Sequence, residues 1–201
     1  MFAIIEAAGW PIWPLILASV VAVAIIIERV YSLRTQEVAP PGLLLETIKS
    51  YQERGVTSEL VTRLADGSAM GLVFATALKN ANNSREIMKE SIEEAGRAVT
   101  HDLDRFLTSL GTIASMAPLL GLLGTVIGMI EIFGAQTGGG TNPGQLAHGI
   151  SIALYNTAFG LIVAIPAITF YRYFRAKVES LVVDMEQQAI KLVEIVHGER
   201  K

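Results

Sequence analysis

The sequence predicts an all-α membrane protein with three transmembrane helices, two of them extended into long cytoplasmic helices. Three observations carry that expectation. About half of the residues, 51%, are apolar and only 17% are charged, less charge than a soluble domain of this length usually carries. Residues 106–171 hold one carboxylate, Glu131, and no Lys or Arg. All 16 basic residues fall on one side of a three-span arrangement, and the positive-inside rule makes that side the cytoplasm.

Residues 1–9 read as an outer amphipathic segment in which Glu6 faces water. Residues 10–28 form the first span. Its apolar run, WPIWPLILASVVAVAIII, reaches roughly 27 Å as a helix, enough to cross a bilayer core. Trp10 and Trp13 suit the membrane interface, and Pro11 and Pro14 suit a first helical turn. The basic residues follow this run and no A-x-A site appears, so it reads as a retained span, not a cleaved signal.

Residues 29–107 read as a cytoplasmic helical domain. Pro40, Pro41 and Gly42 break the chain, and LLLETIKSYQERG then forms a short helix ended by Gly55. Further short helices are expected over about 58–65 and 69–81. Asn83, with Glu86 three residues on, predicts an N-cap and a capping box. Ile87, Ile92, Ala95, Val99, Leu103, Phe106 and Leu110 then recur at helical spacing with no breaker before the second span. This predicts one unbroken rod from about 84 to 132.

The second span covers 108–131, the outer (periplasmic) loop 132–148 and the third span 149–171. Gly138, Gly139, Gly140, Asn142 and Pro143 give that loop its turn. Pro118 and Pro166 fall inside the spans and predict bends. Residues 172–201 form a cytoplasmic C-terminal helix with Val178, Leu181, Val182, Met185, Ala189, Leu192 and Val196 at helical spacing. This seam packs either on its own chain or in a bundle with the 84–107 helix and with copies of itself.

Most chemistry is excluded early. There is no cysteine, hence no disulfide or thiolate site. The net charge is -3 with no basic run, so nucleic acid is not an expected partner. His101, His148 and His197 lie on different predicted faces or sides, and no metal site is expected from them. No P-loop or dinucleotide fingerprint appears. The chain is therefore not read as an enzyme, and no cofactor is expected.

The informative residues are small or polar and lie inside the spans. Gly124 and Gly128 form G-x-x-x-G, and Ala117 and Gly121 extend the same face. Ala153, Thr157, Gly160 and Ala164 share a face of the third span, bordered by Asn156. Such faces let helix backbones approach, and on both long spans they imply contact between copies, hence a homo-oligomer. Thr125 lies beside the first face. The hydroxyls of Thr125 and Thr157 either bond their own backbone one turn back or, with Asn156, line a polar path for ions or a partner helix.

The centre of every span lacks Asp, Glu, Lys and Arg. Hydroxyls and amides do not titrate near neutral pH. If the chain conducts protons, the titrating group comes from another polypeptide. Glu131, at the outer end of the second span, is either a solvated interfacial carboxylate or one member of a ring at an ion entrance.

The string APLLGLLGTVIGM, Ala117 to Met129, resembles the second-span signature of the ExbB/TolQ/MotA family of ion-channel subunits. GISIALYNTAFGLIVAIPA, Gly149 to Ala167, resembles the third-span signature. The resemblance covers essentially the whole chain and is closest to the ExbB/TolQ branch. It implies a ring, usually a pentamer, around the single-span helices of an ExbD-like partner whose membrane Asp carries the proton. It also implies work on a TonB-like protein that pulls on outer-membrane receptors. The family's two pore threonines fall on Thr125 and Thr157. Many relatives carry Glu where this chain has Ile152, so that carboxylate is missing here or Glu131 partly substitutes for it.

The resemblance thus implies a proton-channel scaffold subunit of an ExbB–ExbD–TonB-type motor. It would sit in the bacterial inner membrane, multi-pass, with its N-terminus periplasmic and its C-terminus cytoplasmic. The same motifs suit a TolQ-like subunit of the Tol envelope system. The small-residue faces alone would suit a non-conducting membrane scaffold.

Overall fold

The computed structural model describes residues 9–135 and 143–198. The expected outer segment before Gly9, with Glu6, and residues 136–142 of the expected loop 132–148 lie outside the described residues, while 132–135 and 143–148, including Pro143, are helical and not loop. Among the described residues, eight helices follow one another: α1 Ile12–Ser32, α2 Thr35–Val38, α3 Leu43–Arg54, α4 Ser58–Gly67, α5 Ala69–Lys79, α6 Arg85–Leu103, α7 Leu107–Ala135 and α8 Pro143–Val196. No strand occurs among the described residues. Among the described residues, three helical stretches are long and apolar enough to cross a membrane. The chain is an all-α, multi-pass membrane protein.

The chain divides into two compact units. The first holds residues up to Glu28 together with Phe106–Tyr173. Here Leu15 of α1 meets Ala117 of α7 and Ala164 of α8, with Leu120, Phe159 and Val163 packed around them. The opposite faces expose Leu17, Val20, Leu122, Val126, Ile162 and Ile165. Large apolar side chains facing outward and small residues at helix contacts are features expected of a lipid-solvated bundle. Trp10 and Trp13 stand exposed where α1 begins. Pro118 and Pro166 lie within α7 and α8.

The second unit holds Arg29–Arg105 and the chain from Phe174 on. Its helices start and stop on ordinary capping chemistry. Gly42 and Gly55 take positive φ, 86° and 66°, on either side of α3, a conformation that costs glycine little. Thr57 accepts from the Leu60 amide at 3.2 Å to start α4, and Ser68 accepts from the Gly71 amide at 3.0 Å to start α5. The core joins Leu60 and Leu64 of α4 with Met70, Phe74 and Leu78 of α5 and Met88 of α6. Burying each such side chain contributes about 1.5–3 kcal/mol. In α8, Val178, Leu181, Met185, Ala189 and Leu192 of the expected seam are buried within the chain itself, while Val182 and Val196 are half-buried.

Two local expectations are corrected. The N-cap of α6 is Ser84, not Asn83: Ser84 Oγ accepts from the Ile87 amide at 3.4 Å, while Asn83 Nδ2 donates to Asn80 Oδ1 at 2.8 Å. Glu86 is therefore the second residue of the helix, not the third. Hydrogen bonds from its own backbone amide and from Ser84 lower its carboxyl below the usual 4.5. On the α6 seam, Met88 takes the buried position and Ile87 is exposed.

Residues 85–103 and 107–135 are helical, but the one unbroken helix expected from about 84 to 132 is interrupted. Residues 104–106 form a turn between α6 and α7, and Phe106 has φ 63°. A non-glycine residue there costs about 1–2 kcal/mol. No Gly or Pro marks the place; side chains hold it. Arg29, only 4% exposed, donates from Nη1 to the Leu103 carbonyl at 3.0 Å. Arg175 of α8 pairs with Asp104 at 3.1 Å. The third span and the C-terminal segment, in contrast, form one helix of 54 residues.

Candidate functional site

The small-residue faces of α7 and α8 meet each other within the first unit. A Cβ on Gly121 would stand 2.7 Å from the Asn156 carbonyl oxygen, and one on Gly160 would stand 2.6 Å from that of Ala117. Both are backbone atoms that cannot step aside. A Cβ on Gly128 would stand 3.1 Å from that of Ala153. Ala117 and Ala164 complete the seam in the cluster with Leu15. The faces read as contact between copies are thus used inside one chain. Sequence spacing reveals that two backbones approach closely, but not which helix is the neighbour.

This close approach brings the two threonines together. Thr125 and Thr157 Oγ1 atoms lie 2.5 Å apart. Thr157 also donates across the seam to the Gly121 carbonyl at 3.2 Å. Thr125 lies 3.2 Å from two carbonyls, Gly121 on its own helix and Ala153 on the other. The local back-bond expected of an isolated threonine therefore exists for Thr125, but the bonds between helices dominate the pair. Both residues are half-buried. Asn156 is 2% exposed, and its side chain sits where Gly124 has none.

The remaining candidates stay apart. Glu131 is exposed on α7, six residues and about 9 Å of helix rise beyond Thr125. Ile152 is half-buried on α8. His101 and His148 are exposed, while His197 is half-buried with Nδ1 3.1 Å from the Val193 carbonyl. No group of three His, Cys, Asp or Glu that could hold a metal occurs among the described residues.

Sequence reasoning missed two contacts in this unit. The Tyr171 ring lies beside Gly111, 3.2 Å from where a Cβ would be, and Ile132 fills the space left by Gly149. Each involves a glycine outside the repeating faces. The aromatic closing the third span was the signal for the first; nothing in the sequence pointed to the second.

What the arrangement offers is a pair of hydroxyls that both donate and accept, held between backbones in a stretch without Asp, Glu, Lys or Arg. The model of the MotA/TolQ/ExbB proton channel family matches residues 65–187, a range that includes both threonines. The chain is 32% identical to the putative biopolymer transport protein ExbB-like 3 of Synechocystis sp., over 81% of this chain and 79% of that protein. It is 30% identical to the biopolymer transport protein ExbB of Aquifex aeolicus, over 78% of this chain and 96% of that one. It is 31% identical to ExbB of Salmonella typhimurium, over 83% and 72%.

Proposed function

The chain belongs to the MotA/TolQ/ExbB proton channel family, and we propose that it is the channel-scaffold subunit of an ExbB–ExbD–TonB-type motor. In this reading it turns proton-motive force into work for outer-membrane import. The observation that carries the reading is the contact between the Thr125 and Thr157 hydroxyls in a carboxylate-free stretch of two apolar helices.

Hydroxyls relay a proton only beside a group that loads and releases it. No span of this chain carries such a group at its centre. An ExbD-like single-span partner supplies it as a membrane Asp. The threonines are only half-buried, which leaves them a flank to present to that partner. Asn156 adds an amide next to the pair, and exposed Glu131 stands toward the ion entrance. Copies of the chain form a homo-oligomer, a pentamer in this reading, around the partner helices, and a TonB-like protein receives the work. The one-sided basic residues support an inner-membrane orientation with the N-terminus periplasmic and the C-terminus cytoplasmic.

Replacing both threonines with Val tests the reading. Valine keeps the shape and removes the hydroxyl. The expected result is normal amounts of assembled complex with loss of proton flux in vesicles containing the ExbD-type partner. Full flux from the double variant would overturn the reading and leave the seam a packing device.

A further inference from the structure

We propose that Asn156 is the register key of the α7–α8 seam: its side chain seats in the slot at Gly124 and so sets Thr157 against Thr125. A Cβ on Gly124 would lie 2.7 Å from Asn156 Cβ, 2.8 Å from Cγ and 3.0 Å from Nδ2. Asn156 thus occupies the volume that any other residue at 124 would need, and it is 2% exposed there. The key pair and the hydroxyl pair are offset by one residue on each helix, 124 to 125 and 156 to 157. Fixing the first fixes the second.

The need for a key follows from the seam itself. Ala117, Gly121, Gly124 and Gly128 face Ala153, Gly160 and Ala164, and all of these side chains are a methyl or nothing. Smooth faces bring backbones close, but one turn of slip, about 5.4 Å, offers another set of small residues. A single larger, buried side chain at such a seam selects among these registers, as a lone buried Asn does in a coiled coil. A slip of one turn would present Ile152 or Gly160 to Gly124. The first branches at Cβ, where the slot is tightest; the second leaves the slot empty.

The register claim stands on geometry, while its consequence for ion movement rests on the function proposed above. The chain has no cysteine, so an introduced pair reports cleanly. Cysteines at 128 and 153 would place their Cβ atoms near 3.1 Å, close to the disulfide range of about 3.5–4.5 Å. In the full chain, oxidised in its membrane, this pair is expected to cross-link. With Asn156→Ala the 128/153 product is expected to fall and a slipped 128/149 product to appear. Asn156→Leu, which keeps a branch at Cγ, is expected to retain the 128/153 product. Should the Ala variant fail to accumulate, the Leu variant decides alone. Undiminished 128/153 cross-linking in Asn156→Ala, or its loss in Asn156→Leu, would overturn the key. A shifted cross-link with undiminished proton flux would support the key and overturn the role proposed for the threonine pair.

Discussion

The two units pack helices by opposite means. In the first, the closest backbone approaches between α7 and α8 are made at Ala, Gly, Thr and one Asn, and many large side chains, such as Leu122, Val126, Ile162 and Ile165, are exposed. In the second, Phe74, Met70, Leu78 and Met88 point inward. The difference reflects the solvent. Water expels large apolar side chains, so burying them drives association. Lipid gives no such drive, so helices there gain from close backbones, dispersion and hydrogen bonds between helices.

The comparison can be broken at its strongest point. Phe74 is fully buried in the second unit, and Phe74→Ala is expected to cost about 3–5 kcal/mol. Hydrogen exchange should show lost protection in α4, α5 and α6, with α7 and the apolar half of α8 unchanged. Equal loss in both units would show that they are not separate packing regimes.

Gly121→Ala is the converse. The added methyl meets a backbone oxygen, and the cost is expected to be about 1–3 kcal/mol. Exchange should rise along the seam of α7 and α8, and thermal unfolding in detergent should begin earlier. An unchanged seam would mean that the helices accommodate a wider separation.

The smallest effect sharpens the contrast, because it has the opposite sign. Gly96 lies within α6, and a Cβ there would meet nothing within 4 Å. Gly96→Ala is expected to stabilise the second unit by about 0.5–1 kcal/mol through helix propensity. Destabilisation in a thermal melt would mean that this glycine, too, serves close packing.

The sequence made much of this legible, and the limits have physical causes. The three spans and the buried stripe of α8 follow from hydropathy and helical period. The glycine faces of α7 and α8 were visible, but their partner was not, because a close-packing face looks the same against its own chain or a copy. Thr125 and Thr157 could each be singled out. Their mutual contact depends on the axial register of two helices, which no local spacing contains. The turn at 104–106 has no Gly or Pro. It is tied by Arg29, 74 residues away from Leu103 in sequence, and a long-range side-chain tie leaves no local mark. Ser84 and Asn83 are both good caps, so composition could not choose between them.

The threonine pair has a property that no single hydroxyl shares. Each hydroxyl has one proton to give. Thr125 can donate to Thr157 while Thr157 donates to the Gly121 carbonyl. Alternatively, Thr157 donates to Thr125 while Thr125 donates to the Ala153 carbonyl. The two settings place the same atoms in the same positions and differ only in the sense of the O–H bonds. Passing from one to the other requires two rotations about C–O bonds and no movement of either helix. The pair therefore has two proton settings of opposite polarity on a single set of heavy-atom positions.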